Sequence, residues 1–78
     1  MINERYYQTS DLALAAAISL YYPIQSIDKS NQKRVIFVFA KDRNFDLYIE
    51  RYWKGELKVD PHKYFQNLKL LKNRIYNS

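Results

Sequence analysis

Residues 11–22 read DLALAAAISLYY, and their apolar positions do not keep to one side. At 100° per residue, Leu14, Ala17, Ile18 and Tyr21 fall on one flank of a helix. Leu12, Ala13, Ala16 and Leu20 fall on the other, leaving Asp11 and Ser19 as the strongly polar members. A helix apolar all round is a buried one, and about 12 residues fall short of the ~20 that a bilayer requires. The pattern predicts a central core helix over 11–22, with Ser10 as N-cap and Asp11 in the first turn, where the helix dipole favours negative charge. Alanines at 13, 15, 16 and 17 favour helix and let neighbouring backbones come close.

Pro23 cannot continue that helix and biases Tyr22 toward extended geometry, so residues 24–28 are expected as a short edge strand. A polar turn at 29–32 follows. Residues 33–40, KRVIFVFA, give the clearest strand signal, rich in β-branched and aromatic side chains. Val35, Phe37 and Phe39 share one face of it and Ile36, Val38 and Ala40 the other, so both faces are apolar and want cover.

A second helix is expected over 42–54, capped by Asp42 or Asn44 and closed by Gly55, the chain's single glycine, at C′. Phe45, Tyr48, Ile49 and Tyr52 form its inward stripe, and Glu50 and Lys54 have favourable i,i+4 spacing. Residues 56–59 read as a connector with a strand-like bond or two. Asp60 followed by Pro61 is a strong helix start. The third helix, running to about Tyr76, sets Tyr64, Phe65, Leu68, Leu71 and Ile75 in one inward arc. Leu70 falls outside that arc and is a candidate external contact. Residues 1–9 are expected as an extended lead-in that packs one of Tyr6 and Tyr7.

The reading is a small single α+β domain over 1–78, of order α-β-β-α-α, with a two-stranded hairpin and three helices around a buried first helix. A two-stranded sheet is marginal alone. Self-association through Ile36, Phe37 and Val38, with Leu70 as a further contact, is a natural remedy.

Charge adds a second theme. The net +5 is uneven: residues 1–28 hold one cation against three acids, a balance of −2, so residues 29–78 carry +7. Such asymmetry suits an anionic partner. The candidate nucleic-acid contacts are Lys29, Lys33 and Arg34 at the hairpin, Lys41 and Arg43 beyond it, and Lys69 on the last helix. Aromatic residues make 17% of the chain, eight of them tyrosine. Three adjacent pairs, Tyr6 with Tyr7, Tyr21 with Tyr22, and Tyr52 with Trp53, cannot each point both rings inward. Surface rings of this kind serve as protein contacts or as platforms on which nucleic-acid bases stack.

Catalytic chemistry finds little support. With no cysteine there is no thiolate or disulfide, and one histidine, His62, cannot build a zinc site alone. A single glycine cannot make a phosphate-binding loop. Asp46 and Glu50 share a helix face, but neighbouring Arg51 and Lys54 mark that face as solvated surface. No enzyme activity, cofactor, metal or small-molecule substrate is expected. The amino terminus lacks the basic start of a signal peptide, and the expected location is cytoplasmic, without membrane association.

The segments YQTSDLALAAA, RVIFVF and GELKVDPHKYFQNLKLLKNRIY together resemble a family of small prokaryotic and phage-borne proteins catalogued only as a domain of unknown function. The resemblance spans nearly the whole chain. It implies a standalone domain in a mobile-element or phage setting and carries over no site residue. The expected function is a non-catalytic binding domain that contacts nucleic acid through the basic hairpin and C-terminal helix. The alternative is a protein-interaction module, a homodimer or a binder of a host protein.

Overall fold

The computed structural model describes residues 5–31 and 33–76, so residues 1–4 of the expected lead-in and Gln32 of the expected turn lie outside it. The lead-in is in fact a strand, β1 (Tyr6–Thr9), and it completes the sheet. It pairs antiparallel with β3 (Ile36–Ala40), as does β2 (Ile24–Asp28), giving the order β1-β3-β2. The expected two-stranded hairpin is thereby corrected to three strands. Tyr6, Tyr7 and Thr9 are all strong strand formers.

One face of this sheet is the inner one. Tyr7 and Ile24 stand opposite Phe39, and Thr9 and Ile27 stand opposite Phe37. Ile24 and Ile27 are three apart, which an unbroken strand would send to opposite faces. An irregularity in register between Ile24 and Ser26 resolves the conflict and returns both isoleucines to the core side. On the outer face, Gln8 and Ser26 flank Val38, and Asp28 stands opposite Ile36. That face is one row of apolar side chains between polar neighbours, as suits an antiparallel sheet with one solvated side.

The central helix α1 (Leu12–Ile18) is shorter than expected at both ends. Its N-cap is Asp11 rather than Ser10, because the Asp11 carboxylate accepts from the Leu14 N–H at 3.1 Å and satisfies an otherwise orphan donor. At the other end, Leu20 and Tyr21 bond back three residues to Ala17 and Ile18, the tightened geometry of a last turn that must hand over to Pro23. Leu14 to Ile18 are all buried, so the helix is the hub that its composition predicts. It packs against α2 (Phe45–Trp53), α3 (Pro61–Tyr76) and β1, most extensively against α3. Asn67 ties α3 to its end by donating to Ser19 Oγ at 2.8 Å.

The second helix also begins later than expected. Asp42 accepts from the Asn44 N–H at 2.9 Å to form the turn that precedes it, while Asn44 holds the N-cap position without a side-chain bond. Its end is as expected. Gly55 lies at φ 72°, and the Glu56 and Gly55 N–H groups close onto the carbonyls of Arg51 at 2.8 Å and Tyr52 at 3.1 Å. Glu50 and Lys54 form their ion pair at 2.8 Å. Residues 56–60 contain no strand. They run across α1's carboxyl end, where the Tyr21 hydroxyl donates to the Lys58 carbonyl.

Phe45 is the junction of the aromatic core. Its ring lies 5.4 Å from Tyr7, 4.8 Å from Tyr22 and 6.0 Å from Phe39. In each of the four adjacent aromatic pairs, the three above and Tyr64 with Phe65, one ring lies against the core and the other is exposed: Tyr7, Tyr22, Tyr52 and Tyr64 against Tyr6, Tyr21, Trp53 and Phe65.

Tyr22 also links the core to the start of α2, donating its hydroxyl to Asp42 Oδ1 at 2.7 Å. Burial and this bond push the Tyr22 phenol up to about 12, and the same bond is the main reason the Asp42 carboxyl sits below its usual range. The phenol holds its proton more tightly in the folded chain. Its contribution is therefore whole below the ordinary 10.0 and drains away as pH rises toward about 12. The carboxylate works in the opposite direction, contributing above the ordinary carboxylate range and losing its share as acid protonates it. Tyr22→Phe is expected to flatten both limbs of stability against pH, measured as urea midpoints. Limbs unchanged from wild type would assign the titrations to other groups.

Candidate nucleic-acid interface

Two short segments supply most of the cations that matter here. The turn between β2 and β3 contributes Lys29, Lys33 and Arg34, and the carboxyl-terminal half of α3 contributes Lys69, Lys72 and Arg74; neither 29–35 nor 69–76 contains an acid. The turn is shaped by its own polar side chains. Asp28 accepts from the Ser30 N–H at 2.9 Å, which lowers its carboxyl pKa, and Asn31 accepts from the Lys33 N–H at 2.9 Å. The Arg34 N–H closes onto the Asn31 carbonyl at 3.1 Å. Lys33 and Arg34 are left exposed.

Lys29 joins the two segments. Its ammonium donates to the Arg74 carbonyl, one of the last carbonyls of α3, which have no partner within the helix. Lys29 is half-buried and committed to this clip, so its first task is structural. The clip brings the hairpin turn to the carboxyl end of α3 and makes one basic end of the molecule.

Lys41 and Arg43 are elsewhere. They follow β3 at its far end, roughly 16 Å away along a five-residue strand. Lys41 pairs with Asp46 at 3.1 Å, its side chain mostly covered, and its N–H donates to the Arg5 carbonyl at 2.7 Å. Arg43 is exposed. The six cations read from sequence thus divide between two ends of the sheet and do not make one patch.

The interface residues divide as well. Phe37 is 1% exposed on the inner face of the sheet, so it is core and not a contact for a partner. Ile36 and Val38 are half-buried on the outer face. Leu70 is 58% exposed, as expected, beside a groove formed with Ser19, Ile24, Asn67 and Arg74.

Sequence reading missed a feature of α3. Phe65, expected in the inward arc, is 60% exposed, and Tyr76 is 80% exposed. Phe65, Lys69, Lys72 and Tyr76 have the spacing i, i+4, i+7, i+11, which holds them within an arc of about 60°. The lysines are exposed too, and among the described residues neither has a carboxylate partner. The signal was in the periodicity, since Phe65 lies about 90° from the centre of the buried stripe.

Other parts of the surface offer less chemistry. A cleft of about 450 Å³ lies between Tyr21, Tyr48, Arg51, Glu56, Leu57 and Lys58, and a smaller crevice of about 260 Å³, below the ~300–1,000 Å³ of ordinary ligand pockets, lies between Ala17, Tyr52, Gly55, Leu57, Val59 and Tyr64. The polar side-chain atoms of the smaller crevice are two tyrosine hydroxyls. Among the described residues no three His, Cys, Asp or Glu side chains come together as a metal site, and no helix is long and apolar enough to cross a membrane.

No curated protein and no solved structure matches the chain. A family model does, over residues 4–77, and the chain belongs to that family, described as Domain of unknown function (DUF5659).

Proposed function

We propose that the protein is a non-catalytic nucleic-acid-binding domain that uses the basic end formed by the β2–β3 turn and the carboxyl-terminal half of α3. The observation that carries this reading is the Lys29 clip to Arg74, which joins two acid-free cationic segments. Lys33, Arg34, Lys69 and Lys72 are exposed, and among the described residues none is paired with a carboxylate. Phosphates would neutralise them, and the exposed rings of Phe65 and Tyr76 alongside fit the mixed cationic and aromatic surface of nucleic-acid binders. Lys41 and Arg43, at the far end of the sheet, have no part in it.

Binding of this kind releases counterions, so log affinity falls linearly with log salt, by ~0.9 for each duplex phosphate neutralised. Lys33→Ala with Lys72→Ala is expected to weaken binding at low salt and to reduce the slope by about 2. Lys41→Ala with Arg43→Ala is expected to leave the slope alone. Fluorescence anisotropy across a salt series measures both. Affinity indifferent to salt, or lost only with Lys41 and Arg43, would overturn the proposal.

A further inference from the structure

The outward stripe of α3 differs from a plain phosphate-binding surface, because it begins and ends in exposed aromatic rings. Phe65 and Tyr76 are 11 residues apart, about 16 Å along a helix, with Lys69 and Lys72 between them on the same side. The Phe65 ring meets that of its half-buried neighbour Tyr64 edge to face, at 6.3 Å and 66°.

Duplex DNA buries its base faces in the stack and offers an exposed ring only groove edges and backbone. A single strand offers base faces that can stack on aromatic side chains while its phosphates meet cations. Building on the nucleic-acid reading, we infer that the preferred ligand is a single strand lying along α3, with bases stacked on Phe65 and Tyr76 and the intervening phosphates at Lys69 and Lys72. Charge alone would serve duplex and single strand alike. The rings supply the preference, and because every base has a stacking face, the preference is for strandedness rather than sequence.

The test compares a labelled short oligothymidylate with a duplex of equal phosphate count, for the wild-type chain and for Phe65→Ala, Tyr76→Ala and the double variant. Both side chains are well exposed, so the variants keep the fold, and a thermal melt verifies it. Each substitution is expected to weaken single-strand binding about tenfold. Duplex affinity should change less than about twofold and the salt slope should stay constant. Phe65→Trp should retain or improve single-strand affinity, which a merely space-filling role would not predict. If both nucleic acids bind in a salt-dependent manner but removal of the rings has no effect, stacking is refuted and the charge reading stands. If neither binds, both fail. Ring-dependent binding to anionic lipid vesicles in the absence of binding to oligothymidylate would reassign the stripe to a membrane surface and overturn the inference.

Discussion

Phe45→Ala is expected to cost about 3–5 kcal/mol, the upper range for truncating a core side chain. The ring is fully buried and meets Tyr7, Tyr22 and Phe39, so its removal loses transfer energy and leaves a cavity between β1, β3 and the start of α2. A domain of this size has only about 5–15 kcal/mol in total, and each 1 kcal/mol is worth roughly 4–8 °C in Tm. The melting temperature should therefore fall by well over 10 °C, enough to unfold a marginal domain near 37 °C. Phe65→Ala makes the same chemical change on the surface and should stay within about 0.5 kcal/mol. A Phe45→Ala protein that melts within a few degrees of wild type would mean that the aromatic junction is not where the stability lies.

Ala16→Leu is expected to destabilise by ~1–3 kcal/mol, although leucine is nearly as good a helix former as alanine. The residue is wholly buried in α1, which is enclosed by α2, α3 and the sheet, and the added atoms have nowhere to go without pushing a neighbouring element away. Propensity and packing disagree about this substitution, and the magnitudes decide for packing. Ala13→Leu, at a half-buried position of the same helix, should cost less. Denaturant midpoints for the pair would test this. Equal stability of Ala16→Leu and wild type would show free space beside the helix and would undercut its role as the close-packed hub.

The helices were legible because their signals are local. Asp60 with Pro61 started α3 and Gly55 ended α2 at the expected places, since caps act on the residues next to them. The stretch 11–22 announced its burial through the absence of a polar face. What local signals could not supply was β1. Tyr6 to Thr9 alternate outward and inward like any half-buried strand, but so short a run becomes a strand only when β3, far along the chain, is there to pair with it. Once that partner is in place, both edges of β3 are paired within one chain, while on its outer face Ile36 and Val38 are half-buried. Of the two grounds for expecting a second copy, the two-stranded sheet is replaced by three strands, and the apolar residues of the outer face remain. The cationic site was half legible for a related reason. Composition located the charges along the sequence, while the Lys29 clip and the opposite placement of Lys41 are facts of tertiary geometry.

The order β1-β3-β2 also sets a sequence of events for folding. The β2–β3 hairpin closes a short loop and can form early, whereas β1 must reach the free edge of β3 from the far side of α1, a distant closure that costs more chain entropy. β1 is expected to dock last and to peel away first. When it does, the edge of β3 that it pairs, from Phe37 to Ala40, becomes bare, so the amino-terminal strand is the guard that keeps nascent and stressed molecules from adding to one another along that edge.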